Sequence, residues 1–141
     1  MSFKMVTLAI SQIIENAGKL ATPEEKAQYL RDHDSETLRY ILELAFVPGV
    51  RWELPEGAPP YKPTAYLDQE GRLYQEARTL PMYLLGNNPE LGKVKREMLF
   101  IGLLETLYPK DAQLLIAVKD KKVTGIDANI VNLAFPGLIP T

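Results

Sequence analysis

The sequence predicts an all-α domain of six or seven helices, compact and interrupted by one long proline-rich loop. Three observations predict it. Apolar residues recur at spacings of three and four along most of the chain, helix-capping residues stand at the breaks in that pattern, and no convincing run of alternating residues marks a strand. No internal repeat appears, and 141 residues suit a single domain over 1–141, large enough to bury roughly two-thirds of its unfolded surface.

Over residues 5–20, Leu8, Ile10, Ile13, Ile14, Ala17 and Leu20 make one apolar stripe on an amphipathic helix. Thr22-Pro23-Glu24-Glu25 starts a second helix to about Arg31, with Thr22 as cap, Pro23 at the first helical position and Glu25 completing a capping box. Asp34 and Ser35 cap a third, whose buried face is Leu38, Ile41, Leu42, Ala45 and Phe46, and Pro48-Gly49 ends it.

Between Val50 and Pro63 five prolines and glycines exclude a helix interior and favour extended backbone. Trp52, Leu54 and Tyr61 are large apolar anchors there, which predicts an ordered loop and not a free linker. Helical spacing returns after Asp68 with Leu73, Tyr74, Ala77 and Leu80, up to a break or kink at Pro81. Gly86-Asn87-Asn88-Pro89 reads as a turn in which Asn88 caps and Pro89 opens the next helix. Leu91, Val94, Met98, Ile101, Leu104 and Leu107 share one face of that helix, which is expected to be the central core element. Pro109 opens a further helix, densely apolar at Ala112, Leu114, Leu115, Ile116 and Val118; a basic loop, Lys119 to Gly125, then leads to a short helix from about Asp127 to Ala134.

The chain has no cysteine, which excludes disulfides, thiolate metal sites and cysteine nucleophiles together. Its N-terminus lacks the features of a signal peptide, and no apolar run approaches the roughly 20 residues that span a bilayer, so a soluble, intracellular protein without membrane partners is expected. The net charge of −2 argues against binding nucleic acid over the whole surface. The charge is nevertheless uneven. Residues 24–44 hold six acids against three bases and residues 91–122 seven bases against four acids, so −3 in the first stretch faces +3 in the second.

Three features have a sharp and a bland reading. His33, in Asp32-His33-Asp34-Ser35-Glu36, suggests a metal site or catalytic pair, but the chain's single histidine at a helix junction better fits a solvated turn. Trp52, Tyr61, Tyr66 and Tyr74 present rings for stacking on bases, or pin the loop to the core, which is favoured. Pro60-Tyr61-Lys62-Pro63 fits a Pro-x-x-Pro ligand, or a structural loop, again favoured.

The ending Phe135-Pro136-Gly137-Leu138-Ile139-Pro140, preceded by Lys119-Asp120, Val123, Gly125 and Ile130, resembles the last segment of the N-terminal DNA-binding domain of phage ATP-dependent DNA ligases. Leu44-Ala45-Phe46-Val47-Pro48-Gly49-Val50 stands where those domains end their third helix. The likeness covers the two ends best, while the proline-rich loop and residues 64–90 depart from it. More closely, the whole chain resembles a small protein family of contractile-tailed phages, notably cyanophages.

The ligase resemblance implies a helical module that grips duplex DNA by its backbone across the minor groove, independently of sequence. Lys119, Lys121, Lys122, Thr124 and Gly125 are then the expected DNA-binding residues, since lysines and free backbone N–H groups both favour phosphate. Asp127 departs from this, because a carboxylate there caps its own helix and repels phosphate. The ligase Lys-x-Asp-Gly motif is missing, as are a phosphate-binding glycine loop, a Gly-x-Ser-x-Gly elbow and His-Glu-x-x-His, so no catalysis, cofactor or metal is expected.

The leading expectation is therefore a phage accessory protein in the infected host's cytoplasm, binding duplex DNA or a replication complex. The alternative keeps the fold for protein recognition, with the acidic face or proline-rich loop engaging a host or phage polymerase, sliding clamp or other replication or transcription protein. A structural virion protein is a third reading.

Overall fold

The computed structural model describes residues 8–63 and 71–140. Among these, seven α-helices and one 3-10 helix follow in order, and no strand forms: α1 (Ile10–Gly18), α2 (Pro23–Asp32), α3 (Glu36–Phe46), α4 (Arg72–Glu76), the 3-10 helix (Ala77–Tyr83), α5 (Lys93–Thr106), α6 (Pro109–Lys119) and α7 (Ala128–Ala134). The chain is all-α. Residues 5–7 of the first expected helix, Tyr66 and the expected start at Asp68 lie outside the described residues.

Most helix starts obey their local sequence. Thr22 accepts the Glu25 N–H at 3.1 Å with Pro23 in the first turn, but the Glu25 carboxylate takes the Thr22 hydroxyl at 3.1 Å, so the reciprocal half of the expected capping box is replaced. Ser35 accepts the Leu38 N–H at 3.0 Å, while Asp34 pairs with Arg39 at 2.9 Å. Asp127 accepts the Ile130 N–H at 2.9 Å and opens α7. α1 has Ala9 before it, whose side chain offers no cap, and Gln12 of its first turn accepts the Ala9 N–H at 3.0 Å. The Ser11 N–H of α1 is taken at 2.9 Å by Asp111, a fully buried carboxylate in the first turn of α6.

Two expectations about α5 are corrected. The helix does not open at Asn88-Pro89 but at Lys93, with Gly92 before it. Asn88 to Leu91 form a turn instead, closed by the Leu91 N–H on the Asn88 carbonyl at 3.1 Å. The buried Arg96 guanidinium seals that turn by donating to the Asn88 carbonyl at 3.0 Å and the Leu91 carbonyl at 2.8 Å.

The expected stripe is the core face only at its C-terminal end: Leu104 and Leu107 are fully buried, but Val94 is 70% and Met98 66% exposed. The buried face is Arg96, Phe100, Leu103 and Leu104. Phe100 turns inward because two rings from other segments receive it edge-on, Tyr83 at 5.3 Å and Trp52 at 6.1 Å, and Arg96 because Glu53 meets it at 3.0 Å. The helix at the centre is α6, against which α1, α3 and α5 all pack, with Ala112, Leu115 and Val118 fully buried. α2 lies across α1 and α7 on the far side.

The proline-rich loop is ordered along its described length. Trp52, Leu54 and Tyr61 pack on the core as expected. Backbone bonds join Glu53 N–H to the Tyr83 carbonyl at 2.8 Å and Leu85 N–H to the Arg51 carbonyl at 2.9 Å, and Lys62 N–H donates to Glu105 of α5 at 2.8 Å. The break expected at Pro81 comes earlier: α4 ends at Glu76, and Pro81 falls inside the 3-10 helix that follows it. At the C-terminus Asn132 clasps Ile139, donating to its carbonyl and accepting its N–H, each at 2.9 Å.

Candidate functional site

The basic loop begins as a helix cap. The Lys122 N–H bonds the Ala117 carbonyl at 2.8 Å and the Lys121 N–H the Val118 carbonyl at 3.3 Å, which is the Schellman pairing at the end of α6. Lys121 occupies the left-handed position, with φ at 59°, where glycine is usual. Its ammonium reaches the Leu44 carbonyl at 2.8 Å, in the last turn of α3, where positive charge also complements the helix dipole. Burial holds the Lys121 amine below its ordinary pKa.

Lys119 is turned fully inward. Its side chain is 2% exposed and its ammonium meets Asp120 Oδ1 at 2.6 Å, the Pro55 carbonyl at 2.7 Å and the Gly57 carbonyl at 3.1 Å. Three acceptors exhaust the three donors of an ammonium. Of the expected DNA-binding lysines, Lys119 is thus committed to the proline-rich loop and Lys121 to α3.

Gly125, φ 89°, is likewise structural in what it shows. Its carbonyl accepts from Lys26 at 2.7 Å, and a Cβ built on it would stand 3.0 Å from the Gly18 Cα. The end of α1 and the basic loop touch backbone to backbone. Asp127 fills the start of α7, as its sequence position predicts.

Lys122 and Thr124 are exposed with no commitment to the core, beside a groove between α1 and α6. Lys110, Gln113, Lys122 and Thr124 line that groove together with Glu15. Lys19 bonds Glu15 at 3.1 Å and Lys110 lies 3.5 Å from it; these two ammonium groups, Lys19 foremost, hold the Glu15 carboxyl below its usual range. Lys122 also stands 3.6 Å from Glu56 of the proline-rich loop. Lys19 escapes a reading of the charge runs, and Lys110, though one of the bases of the 91–122 stretch, lies outside the 119–125 segment; the fold brings both to it.

The sequence reading also misses a second surface. The outer side of α5 presents Val94, Met98 and Leu99, the last 40% exposed, and Leu85 nearby in sequence is 58% exposed. The available signal is an excess of apolar residues: α5 carries more of them than its inward face can use.

Residues 13–125 match the model of a family of unknown function, DUF6433. The chain belongs to that family. A comparison with curated proteins finds none that matches. The span shared with DUF6433 takes in Gly18, Lys119, Asp120 and Gly125, hence the knot of contacts around the basic loop, and all of α5. It stops short of the Phe135 to Pro140 segment that carries most of the ligase resemblance. Within the described DUF6433 residues and their flanks, no group of three His, Cys, Asp or Glu side chains could hold a metal ion, and no helix is long and apolar enough to cross a membrane.

Proposed function

We propose that this chain is a non-catalytic recognition module that binds a phage or host replication or transcription protein through the outer face of α5, acting in the cytoplasm of the infected cell. The observation that carries it is the exposure of Val94, Met98 and Leu99 side by side on a helix whose opposite side is already buried. Helix positions 94 and 98 stand one above the other, so their exposed side chains form a continuous strip. Such a strip costs solubility unless a partner covers it, and methionine adapts its shape to a partner's surface. The phage-family resemblance supports the class of partner, and the commitment of the Lys119 and Lys121 ammonium groups to backbone carbonyls supports protein over DNA.

The test is photo-crosslinking in infected cells with a photoreactive residue at Met98, and at exposed Gln113 on α6 for comparison. A stoichiometric adduct to one replication or transcription protein, formed at position 98 and lost when Val94→Asp is added, is the expected result. Adducts to nucleic acid alone, or equal adducts at 98 and 113, would overturn it.

A second reading, backbone binding to duplex DNA, rests on the groove where Lys110, Lys122 and Thr124 meet, with Lys19 on its Glu15. Fluorescence anisotropy against salt tests it. Loss of salt-sensitive binding in a Lys19→Ala/Lys110→Ala/Lys122→Ala variant would support it, and a flat salt response in the natural chain would end it, since phosphate contacts release counterions.

A further inference from the structure

The proline-rich loop arches over α5 and leaves a pocket of about 190 Å³ between them. Its walls are Leu54, Pro55, Pro59 and Pro60, and Phe100 forms part of its lining. Glu97 of α5 lines it as well, half-buried and without an ion pair or hydrogen bond among the described residues. Among the described residues the other charged groups on the lining are Glu56, which leans on Lys122 at 3.6 Å, and Lys119, whose charge Asp120 cancels at 2.6 Å. The pocket therefore carries net negative charge with one carboxylate unspent.

We propose that this pocket receives an arginine or lysine side chain of the protein partner, its alkyl stem between the prolines and Phe100 and its cationic head on Glu97. The proposal rests on the α5 docking reading and names the chemistry that partner must present. Size favours it: at roughly 30 Å³ per water the pocket holds about six, room for one long side chain and too little for a drug-sized ligand. Shape favours it too, because basic side chains bury their methylenes against apolar walls while keeping the head on a counter-charge. An anion is refused by the same carboxylates. Position completes the case. Glu97 is three residues from Val94, one turn along α5, so a partner seated on Val94 has the pocket's carboxylate within reach of a long side chain.

The test is NMR titration of the full chain with n-butylguanidinium, with pentan-1-ol as a neutral probe of similar length. Saturable shifts at the Gly57 amide and the Phe100 ring, at least tenfold weaker with pentan-1-ol, are expected. Glu97→Gln should bring the two probes to equal affinity, and Glu97→Lys, which places a cation in the pocket mouth, should abolish butylguanidinium binding with the amide spectrum otherwise kept. Equal binding of both probes by the natural chain, or no saturable shift, would overturn the proposal. Its failure is separable from that of the docking reading. Crosslinking at Met98 without probe selectivity removes the pocket alone, and a selective pocket without crosslinking at Met98 removes the partner on α5.

Discussion

Lys119 and Asp120 hold Gly57 from both sides. The Lys119 ammonium donates to the Gly57 carbonyl at 3.1 Å, the Asp120 carboxylate accepts the Gly57 N–H at 3.0 Å, and the two charges meet each other at 2.6 Å. Two neighbours at the end of α6 thereby fix a loop more than 60 residues earlier in the chain. What reads in sequence as the start of a basic patch is the anchor of the proline-rich loop.

Loss of Lys119 should therefore act on stability and on the loop before it acts on any ligand. With the pair's side chains 2% and 5% exposed, Lys119→Met leaves a buried carboxylate and two carbonyls without their cation. Removing one partner of a buried pair costs about 3–5 kcal/mol. A double change of Lys119 and Asp120 to apolar residues should recover little, because Pro55 and Gly57 keep their polar groups and lose their partners. Urea denaturation reads the first effect, and faster proteolysis between 55 and 60 the second. Unchanged stability in Lys119→Met would contradict the arrangement.

Lys121 sets two effects against each other. Its left-handed backbone favours glycine, yet its ammonium closes the Leu44 carbonyl at 2.8 Å. Lys121→Gly relieves the backbone and loses the bond; Lys121→Ala loses the bond and keeps the strain. Left-handed backbone costs a residue with a Cβ about 1–2 kcal/mol relative to glycine, so the Ala variant should be the less stable of the two by roughly 1 kcal/mol. Chemical denaturation of both distinguishes them, and an Ala variant as stable as the Gly variant would show that the cap is not strained.

How far these features can be read in the sequence depends on where the partner of each residue lies. Thr22, Ser35 and Asp127 bond an N–H three residues on, so their roles are written locally and are legible. Arg96 and Phe100 are not, because Glu53, Trp52 and Tyr83 reach them only once the chain has folded. That is why the apolar spacing selects the wrong face in the first half of α5, at Val94 and Met98, while Leu104 and Leu107 are buried as expected: both sides satisfy a helical period there, and an aromatic cluster with an ion pair chooses between them. The same holds for the site. Lys122 and Thr124 are exposed and uncommitted to the core among the residues the resemblance marks, whereas the Lys119 and Lys121 ammonium groups find carbonyls at Leu44, Pro55 and Gly57 that no spacing rule reveals.

The contact of Gly18 with Gly125 makes a second stability test. A Cβ at Gly125 stands 3.0 Å from the Gly18 Cα and on a backbone at φ 89°, while Gly49, at φ 87°, has nothing within 4 Å. Gly49→Ala carries the backbone cost alone, about 1–2 kcal/mol. Gly125→Ala adds overpacking of roughly 1–3 kcal/mol, since backbone cannot yield as a flexible side chain does. The difference between the two variants in urea measures the close approach. Equal losses would mean that α1 and the basic loop separate at no cost.

Alkaline pH probes the aromatic cluster that turns α5. Burial, and to a lesser degree the Glu76 charge, pushes the Tyr83 hydroxyl up to about 12 from an ordinary value of 10.0. The unfolded chain then loses this proton near pH 10 while the folded chain keeps it to about pH 12. Between those values the unfolded state binds fewer protons, so stability falls as pH rises; it is fully present below pH 10. At about 1.36 kcal/mol per pH unit the loss from this one group approaches roughly 3 kcal/mol. Tyr40 and Tyr74, also raised chiefly by burial, act in the same sense. Lys121, lowered by burial, acts in the opposite sense, since its unfolded form holds the proton longer. Tyr83→Phe should accordingly flatten the decline of the urea midpoint between pH 10 and 12 and remove a late-titrating tyrosinate from the absorbance curve. An unchanged slope in that variant would place the alkaline transition elsewhere.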